Sequence, residues 1–397
     1  MTARGTAPYW LDAPYQARAP LADDVEVEAV VIGAGVGGLS CAHRLAQHGI
    51  ETLVLERGTV ASGASGRNGG FLLAGIAPFH VDTRERLGAE RARAIYQRTL
   101  DAQQEVYELA AELGAGDAVR RVGLLRASAS EEEAEHVRRH AEALRADGFP
   151  AELVEREDLP ASLRHSFLNG CLTENDGVLH PANWIRALAA AAEQAGARIC
   201  ESSPVRAPVR PPHEAELLAA GRAVRARHVI VASDGGLAAL VPRYDGRIRA
   251  RRLHMVATEP LRERVLERPL YSRWGFEYAQ QTPGGRVLAG GFSDVDGEGS
   301  YTDSDEGSPL VWERIEGWLG DSLGVYAQVT HRWVGIVGYT DDGLPYAGAV
   351  PNQPGLYVLG GYSGHGNVPG YLAGKEVADL VAGDPGDAVL SAASARG

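Results

Sequence analysis

The chain has 397 residues, 45% of them apolar and 23% charged, and a formal net charge of −13. This is globular composition with enough length for roughly two or three domains, and its acidity, without a basic patch, excludes binding along a nucleic-acid backbone. Lys375 is the only lysine, which excludes a Schiff-base lysine outside the last helix; Cys41, Cys171 and Cys200 make no CxxC or zinc spacing and the histidines no HExxH, so no metal centre is expected.

In chain order, residues 1–25 are rich in Pro, Ala and Tyr and read as an extended leader without the apolar stretch of a signal peptide or anchor. No apolar run approaches the ~20 residues that span a bilayer, and the scattered cysteines suit a reducing compartment, so a cytoplasmic location is expected. Residues 27–56 predict strand, glycine turn, helix and strand, followed by a Gly/Ser loop over 58–72. Helical periodicity covers 84–114 and 130–147. A further helix-to-strand unit ends its helix at Gly196, and an apolar strand over 227–232 runs into a turn at 233–236. From about 247 to 338 alternating apolar segments and Gly-rich turns predict an antiparallel sheet. Strand, glycine turn and helix return at the end, in "YVLGGYSGHGNVPGYLAGKEVADL", with Pro369 suited to a first helical turn.

The βαβ character at the start, middle and end of the chain predicts an α/β fold. A Rossmann-like dinucleotide-binding domain, from 26–80, 150–240 and 335–397, is interleaved with an α+β substrate domain, from 81–149 and 241–334, that carries the large antiparallel sheet.

Gly33, Gly35 and Gly38 form G-x-G-x-x-G between a strand and a helix. The first glycine permits the turn, the second lets a pyrophosphate approach the backbone, and the third lets helix and strand pack closely. The helix N-terminus then offers free N–H groups to the phosphates. Glu56 ends the second strand, where an acid accepts hydrogen bonds from an adenosine ribose and repels a 2′-phosphate. This motif points to NAD or FAD without choosing between them. Two other stretches favour FAD. "ASGASGRNGG" supplies small residues and backbone N–H groups around Arg67 and Asn68, and the helix near Pro369 offers a second positive terminus, which stabilises a reduced flavin ring.

With "GASGRNGG", "RWVGIVGYTDDGLPYAG" and "GGYSGHG", the sequence resembles the FAD-dependent D-amino-acid oxidase superfamily over roughly 25–385, nearest its γ-glutamylputrescine oxidase and glycine oxidase branch. The resemblance implies FAD contacts at Gly33, Gly35, Gly37, Gly38, Glu56, Arg57, Ala64, Ser65, Arg67, Asn68, Gly69 and Gly70, with Val205 on the adenine side and Gly361, Gly364, His365, Gly366, Asn367 and Val368 at the ring end. It implies oxidation of an amine: hydride transfer to the flavin, imine hydrolysis and reoxidation by dioxygen with release of peroxide.

Several departures matter. Val337 stands where related enzymes carry a flavin-linking cysteine or a carboxylate-binding arginine, and Val368 where others carry a lysine. Noncovalent FAD is therefore expected. The missing cations favour an amine without an adjacent carboxylate, although Arg67, Arg252 and Arg332 are possible anchors. The candidates to face the substrate are Tyr278 and Gln280, which share a strand face with Phe276, the aromatic pair Trp333 and Tyr339, and His80; Glu277 and Asp294 are candidates to attract a second ammonium. An amino-acid oxidase, a dehydrogenase with another electron acceptor and a non-catalytic flavoprotein stay open as alternatives, and oligomeric state is undetermined.

Overall fold

A computed structural model describes residues 7–213, 216–386 and 388–391, so the first six residues of the expected leader and the end of the expected C-terminal segment lie outside the described residues. Its central strand, Val25–Ile32, is flanked in parallel by Arg222–Val231 on one side and Thr52–Leu55 on the other. Leu356–Gly360 and Arg198–Cys200 extend this sheet in parallel, and Tyr346–Ala349 closes one edge in the antiparallel sense. Thr52–Leu55 is buried along its whole length, as expected of a strand covered on both faces.

The helices Val36–Gln47, Pro181–Gln194 and Asn367–Val381 share one hydrophobic core with a face of this sheet. The first and last approach closely because Gly374 lies against the Gly37 carbonyl, where a side chain would collide. Ser40 Oγ donates to the Tyr371 carbonyl at 2.7 Å across the same contact.

The second sheet has eight strands, in the order Val329–Tyr339, Arg249–Pro260, Arg286–Gly291, Glu277–Gln281, Leu270–Ser272, Leu124–Ala127, Asn169–Thr173 and Glu152–Glu155. Every pairing is antiparallel except Leu270–Ser272 with Leu124–Ala127. Alternation gives the sheet two apolar faces. Val256, Ala279, Ala289 and Val334 pack with the helix Pro309–Leu323, while Met255, Tyr278, Leu288 and Trp333 belong to the core shared with the parallel sheet. The eight-stranded sheet is thereby laid over the dinucleotide-binding motif.

The predicted α/β organisation is present, and the differences are local. The helix predicted over 84–114 is two, His80–Leu87 and Ala89–Glu112, broken at Gly88 with φ +84°. The boundaries expected at 150 and 335 cut through the larger sheet, because Glu152–Glu155, Asn169–Thr173 and Val329–Tyr339 are all strands of it. The described part of the leader is tied down: Trp10 is buried, its Nε1 donates to the Asn68 carbonyl at 2.8 Å, and Tyr15 hydrogen-bonds Glu201. Among the described residues no helix is long and apolar enough to cross a membrane.

His254 is buried on Arg249–Pro260, between Val329–Tyr339 and Arg286–Gly291, where its Nε2 accepts from the Ser308 N–H at 2.7 Å and its ring meets Trp312 edge-on. Burial, helped by the Arg252 charge, holds its pKa down at about 4. The unfolded chain, with an ordinary imidazole near ~6.5, takes up the proton first, so the stability His254 supplies above that pH is lost as pH falls toward 4. His254→Gln is expected to flatten this dependence by up to about 1.4 kcal/mol per pH unit, as read from urea unfolding midpoints across that window.

Candidate active site and cofactor cleft

The parallel strands direct their C-terminal ends at one elongated cavity of about 1110 Å³. At its near end the chain turns sharply at Gly33, φ +109°, where a Cβ would lie 2.5 Å from the Ala232 carbonyl oxygen. Gly38 does not line the cavity; it packs against the Gly33 carbonyl, the helix–strand contact its position in the motif requires. Glu56 reaches under the turn. One carboxylate oxygen accepts from the Ala34 N–H at 2.9 Å and the other from the Gly58 N–H at 2.8 Å.

The loop over 61–70 is built rather than loose. It contains a short helix, Ala64–Arg67, and Ser65 Oγ accepts from the Val36 N–H at 3.0 Å, tying the loop to the first glycine turn. Arg67 donates from Nε to the Ser62 carbonyl at 2.6 Å and from Nη1 to the Val334 carbonyl at 3.2 Å, and Trp333 Nε1 donates to the Arg67 carbonyl at 2.8 Å. The loop is thus clamped to the roof.

Asn68 closes it: Nδ2 donates to the Ala64 and Ser65 carbonyls, and Oδ1 accepts from the Gly70 N–H at 2.8 Å. The same amide pairs with that of Asn367, each donating to the other at 3.2–3.3 Å, and Asn367 Nδ2 also donates to the Phe71 carbonyl at 2.7 Å. Segments from opposite ends of the chain therefore meet on one cavity.

Asp234 is a second fastener, one that the sequence reading saw only as part of a turn. It adopts φ +45°, and its carboxylate accepts from the Gly338 N–H at 2.8 Å and the Gly361 N–H at 2.9 Å. It thereby joins the ends of three segments around the far part of the cavity. Burial raises its pKa, and the backbone donors act against that rise.

Of the predicted cofactor residues, all line the cavity except Gly38, Gly70 and Gly361. Gly70 turns under Gln280 at φ +74°, and Gly361 serves as a donor to Asp234 at φ +76°. Val337 and Val368 also line the cavity; none of the three cysteines does.

The predicted substrate-facing residues fare differently. Gln280 is buried and donates to the Gly69 and Gly70 carbonyls, so it supports the loop instead of facing a ligand. Tyr278 packs edge-on against Phe71 and Tyr271, and Trp333 is committed to Arg67. The Tyr339 hydroxyl stands beside Gly364, with Arg251 over its ring. These four lie behind the wall.

His80 lies elsewhere: it pairs with Asp147 at 2.7 Å and faces a separate small cavity, because the chain turns away at Gly75, φ +86°. Arg252 pairs with Asp296 and Arg332 with Glu316; Glu277 and Asp294 both pair with Arg273. None of these charged groups faces the large cavity.

The residue missed is Tyr271. It lines the far end of the cavity, stacked on His365 at 6.1 Å with 16° between the planes. The sequence offered only a three-residue strand with no periodicity to read. Burial lowers the His365 pKa to about 3, with the Arg126 charge acting the same way, so the ring is neutral. Its Nε2 is buried without a partner. Ser233 Oγ and the Tyr362 hydroxyl, also on the cavity wall, are likewise buried and unpartnered.

An elongated cavity with glycine turns at both ends and three orphaned polar atoms fits an extended dinucleotide. A family model described as "DAO: FAD dependent oxidoreductase" matches residues 28–380. The chain is 27% identical over 383 residues to the γ-glutamylputrescine oxidoreductase of Escherichia coli, covering 92% of this chain and 85% of that protein. It is 28% identical over 363 residues to the glycine oxidase of Geobacillus kaustophilus, covering 89% and 92% respectively. The crystal structure of the Geobacillus enzyme superposes with a TM-score of 0.75 at 23% identity, over 91% of this chain and 96% of that one. L-Proline dehydrogenase from P. horikoshii superposes with a TM-score of 0.77 at 20% identity, over 92% and 96%; at these identities the structures speak for the fold. The match along nearly the whole sequence shows that this chain belongs to the DAO family and is an FAD-dependent oxidoreductase.

Proposed function

We propose that the enzyme oxidises the C–N bond of a small amine, with noncovalent FAD lying along the large cavity. The observation that carries this reading is the Asn68–Asn367 pair, which sets the loop after the second strand and the C-terminal glycine turn against the same cavity. Glu56 and Val205 would hold the adenosine end, the turn at Gly33–Gly37 the pyrophosphate, and Arg67 to Gly69 with Gly364 to Val368 the ring end. Noncovalent binding follows from Val337 on the wall and from cysteines that lie outside it. Bound FAD supplies the hydride acceptor.

The protein's part is to orient, to exclude water and to hold a proton. The N-terminus of the helix Asn367–Val381 favours negative charge at the adjoining end of the cavity. Neutral His365 offers its unpartnered Nε2 as a hydrogen-bonding group, donor or acceptor according to tautomer, that would keep an amine nitrogen oriented. Tyr271 and Phe71 wall this end with apolar surface. Lys375 takes no part, since it pairs with Glu105. The names of the E. coli and Geobacillus relatives support an amine or amino acid as the hydride donor and, for the latter, dioxygen as the acceptor.

The test is anaerobic addition of a panel of primary and secondary amines and amino acids to the yellow holoenzyme. Bleaching of the flavin band by at least one, with peroxide released on readmitting air, is expected; a flavin band that no amine reduces would refute the reading. Asn68→Ala removes the pairing with Asn367 and the support of the Gly70 N–H, and is expected to weaken FAD binding by roughly 10–100-fold, at about 1 kcal/mol per hydrogen bond, when apoprotein is titrated with FAD. Asp234→Ala leaves the Gly338 and Gly361 N–H groups without their charged acceptor. A comparable loss of affinity is expected, and Asp234→Asn, which keeps one acceptor oxygen, should recover part of it.

A further inference from the structure

Residues 12–24 belong to no helix or strand, so separate side-chain contacts hold this part of the chain. It starts against the larger sheet: Asp12 pairs with His331 at 3.1 Å, and the Tyr9 ring lies edge-on to His331 with the Arg286 guanidinium 5.2 Å from its centre. It then crosses the helix Pro181–Gln194, where Arg186 stands over the Tyr15 ring at 4.4 Å and Arg18 pairs with Glu193 at 2.6 Å. It reaches the end of the parallel sheet at Leu21, whose N–H donates to Ser203 Oγ at 2.9 Å. The segment therefore straps the two sheets together, and none of its described residues lines the large cavity.

Two of its contacts fall on the cofactor loop, one at each end. The buried Glu201 carboxylate accepts from the Tyr15 hydroxyl and, at 2.6 Å, from the Arg18 N–H; it also accepts from the Val60 N–H at 2.7 Å, just ahead of the loop over 61–70. At the other end Trp10, 2% exposed, donates from Nε1 to the Asn68 carbonyl at 2.8 Å. Its ring lies beside Gly70, where a Cβ would stand 3.3 Å from it, and edge-on to His180 with ring centres 4.8 Å apart. The indole N–H thus orients the peptide that follows Asn68, the residue whose side chain makes the reciprocal pair with Asn367.

We propose that Trp10 is a positioning residue for the cofactor: the strap sets the Asn68 peptide, and with it the reciprocal amide pair, in the arrangement that retains FAD. This rests on FAD lying along the large cavity and is independent of which amine is oxidised. A loop already set in its bound conformation spares the ligand the cost of ordering it. The coupling runs both ways: if the seated strap favours the cofactor-binding form of the loop, bound FAD favours the seated strap. The strap suits such coupling because, without ladder hydrogen bonds of its own, it can open while Val25–Ile32 stays paired.

Apoprotein of wild type, Trp10→Phe, Asn68→Ala and the double variant is titrated with FAD. Trp10→Phe keeps a buried ring and removes the N–H, and an affinity loss of about fivefold or more is expected, as for one buried hydrogen bond. Because Trp10 acts through Asn68, the double variant should lose less than the product of the two single losses. Affinity equal to wild type in Trp10→Phe, or losses that multiply in full, overturns the proposal. If Asn68→Ala also binds FAD as wild type does, the placement of the cofactor falls with it; if Asn68→Ala weakens binding and Trp10→Phe does not, the placement stands and the role of the strap is refuted. Hydrogen exchange on the wild type decides without any variant, should Trp10→Phe fail to fold. With FAD at saturation, residues 9–21 are expected to exchange at least about fivefold more slowly than in apoprotein, under conditions where Val25–Ile32 is protected in both forms. Equal exchange of the strap in the two forms overturns the proposal.

Discussion

The structure depends on one reciprocal amide pair. Asn68 and Asn367 are 299 residues apart, and each both donates to and accepts from the other. An amide is the side chain that can do this without burying a charge. The cost of bringing such distant segments together is not met by the pair itself, since loop closure over that span far exceeds what two neutral hydrogen bonds return. It is met by the parallel sheet, where Val25–Ile32, Arg222–Val231 and Leu356–Gly360 lie side by side. The sheet brings the two segments together, and the amides then fix their relative position.

The larger sheet completes this arrangement from above. Trp333 donates to the Arg67 carbonyl, and Arg67 donates back to the Val334 carbonyl. Adjacent residues of one strand thus take opposite tasks: Trp333 packs into the core shared with the parallel sheet and Val334 into the core beneath Pro309–Leu323. A slip of one residue would exchange those faces and release the loop. Register in the roof and geometry in the loop are one constraint.

That division explains what could be read from the sequence. The first glycine turn was legible because its requirements are local: Gly33 at positive φ, Gly38 against the Gly33 carbonyl, and Glu56 one strand later. Arg67 and Asn68 stood out from a linker because a linker has no use for them. Tyr271 and Asp234 were not legible, because each acts across strands whose pairing no local pattern announces. Tyr271 and Arg126 meet through a parallel pairing between segments 145 residues apart. His80 misled for the converse reason: closeness in sequence to the loop says little once Gly75 has turned the chain away. The helix break at Gly88 and the strands at Glu152–Glu155 and Asn169–Thr173 were missed in the same way, the first as a single permissive residue inside a periodic stretch and the others as short segments whose partners lie far off.

The placement of charge follows from burial. Around the large cavity the protein presents backbone groups, a neutral imidazole and aromatic faces; it commits Arg67 to carbonyls and Arg249 to an acid, and places Arg57 next to Glu56 on the wall. Asp234 is tolerated there because backbone N–H groups surround it. A low-dielectric wall makes any unmatched buried charge costly, so the Asp234 carboxylate can fasten Gly338 and Gly361 there only because their N–H groups take the place of a counter-ion.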